Sequence, residues 1–325
     1  MGKRQNGKSS FRRNICHAQK WIEMSTKLKQ IAAKAKLDKR CQFTSLAHIL
    51  TTDFLKESWR GMNKQGVAGV DNQTMEEYAT NLDENLTKLV ERLRSQQYRA
   101  PCVRRVEIPK VNGKLRPLGI PTVEDRLLQR SVARILNAVF ESDFLECSYG
   151  FRPGRSPHDA LRALRSAVIA GKTRRIFEAD IRSYFDCINH QWMMKFVRHR
   201  IKDPRILHLI GKWLKAGVMA NGLVLTRTQG CPQGGPISPL LANIYLHYVL
   251  DLWFEKRMKK QIYGQAHLIR FADDFVICFQ HIKEPRKFER ELRKRFAKFN
   301  LEFAPEKTRA LIFGRFAKKE CGDWF

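Results

Sequence analysis

The residues able to do chemistry lie in two acidic segments far apart in the chain. In Arg270-Phe271-Ala272-Asp273-Asp274-Phe275-Val276-Ile277-Cys278, two adjacent carboxylates interrupt an apolar run that reads as strand, turn, strand. Like charges side by side in a core hairpin are costly unless a cation sits with them, and hard oxygen donors at this density suit Mg²⁺. Taken alone, the motif also reads as an exposed Asp-Asp turn. A second segment, Phe177 to Asp186, closes an apolar strand on Asp180. If the fold joins Asp180 to Asp273, two carboxylate strands flank one pocket, as two-metal phosphoryl transfer requires. One metal acidifies the attacking hydroxyl and the other steadies the leaving group. Asp274 reads as a supporting carboxylate. Between these segments Gln229 to Asn243 forms a Gly/Pro loop, in which Gly234 and Gly235 let backbone approach a flat ligand closely.

Helices and strands must bring these groups together, and the sequence pattern supplies both. Apolar residues at helical spacing from Leu82 to Leu93 precede Val103 to Pro109, which alternates as a strand. A tight turn at Asn112-Gly113 returns the chain through Lys114 to Pro121, a hairpin with basic residues at tip and flank. Leu127, Leu128, Val132, Ile135, Leu136 and Val139 make the buried stripe of the next helix. Ser156-Pro157 opens another helix, stopped by Gly171, and Asp203-Pro204 opens one ending near Gly217. Arg174 to Ile181 is the strand that carries Asp180, and Pro236 to Met258 is one long helix. His267 to Phe279 is the acidic hairpin, Pro285 to Phe299 a helix, and Leu301 to Phe313 a turn and strand. Such alternation is an α/β or α+β plan.

Of 325 residues, 61 are Lys or Arg and 32 are Asp or Glu, a net charge of +29 that calls for a polyanionic partner. Twelve of the basic residues fall within residues 1–40, against only Glu23 and Asp38. This basic arm reads as a solvated extension, a phosphate contact or an organelle transit peptide. Gly2 to Ser9 matches the phosphate-loop pattern letter for letter, but no strand can precede it, so it is rejected. The longest apolar run, Leu240 to Phe254, is broken by Asn243, His247 and Asp251 and falls short of the ~20 residues a membrane span needs. Neither a membrane nor export through a cleaved signal is expected. The eight scattered cysteines read as reduced thiols of an intracellular protein, and the nine histidines show no zinc spacing. Trp192, Trp213 and Trp253 read as core.

In the order acidic strand, Gly-rich loop, acidic hairpin and basic turn, the sequence resembles the reverse transcriptases, most closely those encoded by group II introns. Phe271-Ala272-Asp273-Asp274 resembles the family's Tyr-Ala-Asp-Asp box, and Gln233-Gly234 with Ser238 to Asn243 its Gly-rich block. Asp180 with Phe185 resembles the first acidic block. Ile108-Pro109-Lys110 through Arg116 to Pro121, Tyr149 to Ser156, and Glu306-Lys307-Thr308 agree as well. The resemblance spans Gly66 to Arg309. It implies a right-hand polymerase fold of fingers and palm that extends a DNA primer with dNTPs on an RNA template, linked to intron mobility. It also implies two Mg²⁺ ions, with Mn²⁺ as a substitute. Carried over, Asp180, Asp273 and Asp274 are the metal carboxylates, with the Ile181 carbonyl a further ligand. Lys110 and Arg116 grip the triphosphate, a role that a point-charge Lys and a forked Arg can fill. Phe185 packs under the sugar, Gln233 and Gly234 touch the nascent pair, and Lys307 is the proton donor near the pyrophosphate. Arg104, Arg105, Arg152 and Phe271 are assigned to template or primer.

The implied division is a basic extension over 1–60, fingers over 61–170 and a palm over 171–325 that includes a helical segment over 190–258. Phe271 stands where the family has Tyr, keeping the ring and losing a phenolic hydrogen bond. Altered fidelity or primer contact is expected from it. Too few residues follow Thr308 for the family's helical thumb and maturase region, so a fragment or a partner chain is expected. A bacterial cytoplasm is the expected location, with an organellar matrix as the other option. Two rival functions stand beside the polymerase: a non-catalytic RNA-binding splicing cofactor, and a host-adopted reverse transcriptase in defence or CRISPR adaptation. The three carboxylates argue against a pure binder, since they would repel RNA.

Overall fold

A computed structural model describes residues 26–109, 113, 115–170, 172–220, 223–226 and 228–314. The rejected phosphate-loop match, most of the basic arm and Lys110 lie outside them. Helices α1 (Thr26–Leu37), α2 (Thr52–Arg60), α3 (Met75–Thr80) and α4 (Leu82–Arg94) precede strands β1 (Val103–Pro109) and β2 (Leu115–Ile120). Next come α5 (Val123–Phe140), α6 (Pro157–Ala170), β3 (Arg175–Ala179), α7 (Tyr184–Cys187), α8 (His190–Val197) and α9 (Pro204–Lys215). The chain continues through β4 (Val218–Ala220), β5 (Leu223–Leu225), α10 (Ser238–Leu246), β6 (Ala266–Phe271), β7 (Asp274–Phe279), α11 (Glu284–Lys298) and β8 (Arg309–Ile312).

Local chemistry sets several of these limits. Thr74 and Glu77 form a capping box at the start of α3. Asp203 caps α9, one carboxylate oxygen accepting from the N–H groups of Arg205 (2.9 Å) and Ile206 (3.3 Å). Its other oxygen accepts from Leu46 (2.6 Å) and Ala47 (2.8 Å), so one side chain ties the N-terminal region to α9. Ser156 and Asp159 cap α6 reciprocally. The long helix expected from Pro236 to Met258 is α10 followed by two π-helical turns, His247–Asp251 and Phe254–Met258. Such turns often mark functional sites, and the first of these holds Asp251.

Two four-stranded sheets result, in orders β2-β1-β4-β5 and β6-β7-β3-β8. Within the first, β1 pairs antiparallel with β2 and parallel with β4, and β4 pairs antiparallel with β5, so both short strands return to the sheet that β1 begins. All pairs in the second are antiparallel. Its register matters most: Ala179 faces Phe275 across β3 and β7, so one further step brings Asp180 level with Asp274. The core runs through both sheets. The expected stripe of α5 is buried, and so are Ser131 and Ala133 on its other sides, which makes α5 a central post. Under the second sheet Phe177, Phe275, Phe288, Phe296 and Phe303 pack edge to face or tilted, as at Phe177–Phe288 (5.6 Å, 73°). Each such ring contributes roughly 1.5–3 kcal/mol by burial. On the sheet's opposite face Ala160 and Ala167 of α6 meet Ile269 and Cys278. Among the described residues no helix is long and apolar enough to cross a membrane, and the six described cysteines are free thiols.

Candidate active site

Phe271 pairs with Asp274, so Ala272 and Asp273 are the two residues of a tight hairpin turn. Ala272 takes φ +59°, the left-handed region, at a cost of about 1–2 kcal/mol for an L-residue. The surroundings impose that conformation. Arg270 Nη1 donates to the Ala272 carbonyl at 2.9 Å. Behind the turn lies Gly150, where a Cβ would come 2.3 Å from the Ala272 nitrogen. Asn243 Nδ2 donates to the Gly150 carbonyl (2.7 Å), and the Tyr149 N–H to the Arg270 carbonyl (2.9 Å). Arg270 is wholly buried and forks onto Asp251, Nε to Oδ1 at 2.8 Å and Nη2 to Oδ2 at 2.6 Å. It also donates to Asn243 Oδ1 (2.9 Å) and Ser148 Oγ (2.7 Å). A buried charge so completely satisfied is a rigid brace.

The carboxylates stand on this brace. Burial raises the pKa of Asp273, and the charge of Asp180 raises it further, against Arg116 and Lys307. Asp274 is pushed up to about 6 by burial and then by the charges of Asp180 and Asp273. Lys307 Nζ ion-pairs with Asp180, whose backbone carbonyl accepts from the Ala304 N–H at 2.9 Å. That contact holds Lys307 charged to higher pH than usual. Among the described residues no three His, Cys, Asp or Glu side chains converge at metal-ligand spacing. The Lys307 ammonium places a positive charge at Asp180. The donor set itself fits a hard divalent cation: it is all carboxylate oxygen, and two members are driven towards protonation by burial and then by their acidic neighbours. Asp180, Asp273 and Asp274 would hold such a cation. Ile181 is buried beside Asp180, and no hydrogen bond to its carbonyl is made among the described residues.

Other expected residues gather at the neighbouring seam between the two sheets. Arg116 Nε donates to Gln233 Oε1 at 2.9 Å, and the Gly119 N–H donates to the Gln233 carbonyl at 2.6 Å. Gly234 has φ +116°, and a Cβ there would come 2.5 Å from the Gly119 carbonyl oxygen, so this position needs glycine on two counts. Phe185 is buried under the same loop, its carbonyl accepting from the Cys231 N–H at 2.7 Å. The expected alternation along β1 holds. Arg105 is exposed, pairs with Glu107 at 3.2 Å and joins Gly119, Asp186 and Gln233 around a cavity of about 330 Å³. Arg104 turns inward, its Nε buried without a partner among the described residues. Phe271, with Leu161, Leu164, Asp180, Asp274 and Lys307, lines a cleft of about 470 Å³.

Arg152 differs from its expected role. It is buried, forks onto Glu141 (2.6 and 3.1 Å) and donates to the carbonyls of Leu145 and Ser148 (both 2.7 Å). Its donors are used inside the fold, which replaces the template contact assigned to it. Sequence reasoning also missed the brace of Arg270, Asp251, Asn243 and Gly150. A signal existed: Asn243, His247 and Asp251 interrupt the most apolar helix at four-residue spacing, which puts three polar groups on one face.

Residues 108–322 match the family model described as reverse transcriptase (RNA-dependent DNA polymerase). The chain belongs to this family. It is 41% identical over 290 residues to Protein YkfC of Escherichia coli K12, covering 78% of this chain and 75% of that protein. To the group II intron-encoded protein LtrA of Lactococcus lactis it is 33% identical over 284 residues. That match covers 70% of this chain and 47% of LtrA, so the chain spans about half of LtrA's length. Together these make it a reverse transcriptase of the group II intron type. Among solved structures, telomerase from Candida albicans in complex with a fragment of telomeric RNA aligns with a TM-score of 0.52 and 14% identity. The alignment covers 73% of this chain and 45% of telomerase, a likeness of fold alone, and that fold is the right-hand polymerase.

Proposed function

We propose that this reverse transcriptase extends a DNA primer on an RNA template, probed most simply as dTMP addition to oligo(dT) on poly(rA). The observation that carries the reading is the register that sets Asp180 level with Asp274 beside the Asp273 turn. The first sheet then serves as fingers and the second as palm. Mg²⁺, or Mn²⁺ in its place, bound by Asp180, Asp273 and Asp274 would activate the primer hydroxyl and stabilise the leaving pyrophosphate. Lys307 pairs with Asp180; with the cation held by the carboxylates, its ammonium would be available to protonate the leaving group. Arg116, released from Gln233, turns its guanidinium to the triphosphate, and Gln233 then reads the nascent pair. Phe185 floors the sugar site. The template is intron RNA in this reading, the setting a bacterial cytoplasm, as the Escherichia and Lactococcus relatives suggest.

The test is extension with Mg²⁺, with and without EDTA, for wild type and Asp273→Asn. Loss of a metal carboxylate should exceed the ~10–100-fold cost typical of outer-shell partners, with RNA binding kept. Full extension by the variant would refute the site. A folded wild type that binds RNA and never extends a primer would refute the polymerase.

A further inference from the structure

An unpaired oxygen lies beneath the Gly-rich loop, on α5. Gln129 is buried, and its Oε1 has no hydrogen-bond partner among the described residues. A buried amide oxygen left unpaired is costly, so what holds it in place matters. Gln129 Nε2 donates to Asp125 Oδ2 at 2.9 Å, one turn back on α5. Asp125 is itself buried, and its Oδ1 accepts from the Tyr98 hydroxyl and from Trp213 Nε1, the latter at 2.7 Å. Burial pushes this carboxyl up to about 6, against the pull of those three hydrogen bonds. An ionised carboxylate only accepts, so it decides which end of the Gln129 amide it faces. The NH2 group must turn to Asp125, and the oxygen must turn the other way, to the loop.

There the oxygen meets Gly235. A Cβ at that position would come 2.4 Å from Gln129 Oε1, so with the amide tied to Asp125 the contact needs glycine. Gly235 is buried too, and among the described residues neither its N–H nor that of Gly234 makes a hydrogen bond. An unused acceptor thus faces backbone with unused donors. Both flanks of this stretch are pinned. The Gln233 carbonyl accepts from the Gly119 N–H at 2.6 Å, and Ser238 Oγ donates to the Pro232 carbonyl at 2.7 Å. A turn of the peptide between these anchors, pointing the Gly235 N–H at Gln129, satisfies both groups. Gln233 is two residues away, so the seat of Gly235 sets how Gln233 is presented to the nascent pair.

Building on the proposed function above, we propose that Gln129 is a positioning residue whose Oε1 accepts the Gly235 N–H when the nascent pair binds, and that Asp125 fixes the amide in the orientation this needs. The test measures dTTP addition to oligo(dT) on poly(rA), with melting temperature and RNA affinity alongside. In Asp125→Asn the new side-chain oxygen still accepts from Tyr98 and Trp213, so the new NH2 meets Gln129. The Gln129 amide then turns over and offers its own NH2 to the loop, where a donor meets a donor. The dTTP KM should rise about three- to tenfold, the range of one hydrogen bond, with kcat held within about twofold and RNA affinity kept. Melting temperature should hold or rise, since a buried charge is removed and every hydrogen bond of the network is kept. Adding Gln129→Glu to Asp125→Asn restores an acceptor, because one oxygen of the new carboxylate takes the new NH2 and the other faces Gly235. The double variant should recover the KM that the single variant lost.

An unchanged dTTP KM in Asp125→Asn would overturn the proposal, whether or not the double variant folds. A joint fall of melting temperature and kcat in Asp125→Asn would make the pair a tie of the fold alone. A folded double variant with KM still raised would deny that the direction of the amide matters. A wild type that extends no primer would sink the polymerase reading itself, and is distinguished by appearing before any substitution is made.

Discussion

Asp273 and Asp274 stand on a turn whose neighbours are fixed by backbone contact and by a buried guanidinium with all its directions used. Arg126 of α5 and Lys64, from the segment joining α2 to α3, stand in a seam held by ring packing and by glycines that admit side-chain tips. Both places gather like charge in a half-buried setting. They differ in what must be exact. Two-metal chemistry fails when an oxygen moves by an ångström, so the acid turn is braced in three dimensions. Arginine tips that meet glycines can swing aside, so the seam tolerates movement. The same problem of crowded charge thus has a stiff solution where bonds change and a soft one away from them.

The largest effect expected from breaking this contrast is at Asp251. Asp251→Ala leaves Arg270 buried and unpaired, which should cost about 3–5 kcal/mol in denaturant unfolding. A cost under about 1 kcal/mol, the range of a surface pair, would mean that the turn is not braced from below. Gly150→Ala comes next. Its Cβ meets the Ala272 backbone at 2.3 Å, and backbone cannot swing aside as a side chain can. A shift of about 1 Å in the turn should lower the extension rate about 100-fold while RNA affinity stays unchanged. If rate and affinity fall together, the fold has been damaged rather than the turn displaced.

The acid turn also has a pH signature that the seam lacks. Burial, then the charges of Asp180 and Asp273, push the Asp274 carboxyl up to about 6, above the usual carboxylate value near 4. The folded state therefore binds its proton more tightly than the unfolded chain. Its contribution favours folding below about pH 4 and is lost as pH rises through about 6. Thermal melting in EDTA should show this fall in wild type relative to Asp274→Asn. Mg²⁺ should abolish the difference by restoring the ionised form. Parallel curves for the two proteins in EDTA would remove the crowding argument.

Local features of this architecture were legible in the sequence. The Asp203-Pro204 cap, the α5 stripe and the strand endings at Asp180 and Asp273 depend on residues within a turn or two of one another, so pattern finds them. The brace was not legible in the same way, because Arg270 meets Asp251 across a loop and Ser148 across 122 residues. Only the polar spacing of Asn243, His247 and Asp251 hinted at it. Arg152 was misread since its partner, Glu141, lies eleven residues back on a separate element. An arginine that serves the fold and one that awaits phosphate look alike in one dimension. Strands β4 and β5, three residues each, are too short to show a period at all.

The smallest expected effect sharpens the comparison most. Gly66 and Gly150 both lie where an added Cβ would meet another atom inside 3 Å, 2.5 Å at Gly66 and 2.3 Å at Gly150. At Gly66 the atom met is Arg126 Nη1, the far end of a flexible side chain, and Gly66 does not occupy the left-handed region. Alanine there also lowers the entropy of the unfolded chain, worth about 0.4–1 kcal/mol in favour of folding. The two terms oppose, so Gly66→Ala should alter stability by less than about 1 kcal/mol. A destabilisation matching that of a buried backbone clash would show the seam to be as stiff as the acid turn. Arg126 would then be a strut of the fold, as Arg270 is, and the contrast between the two places would fall.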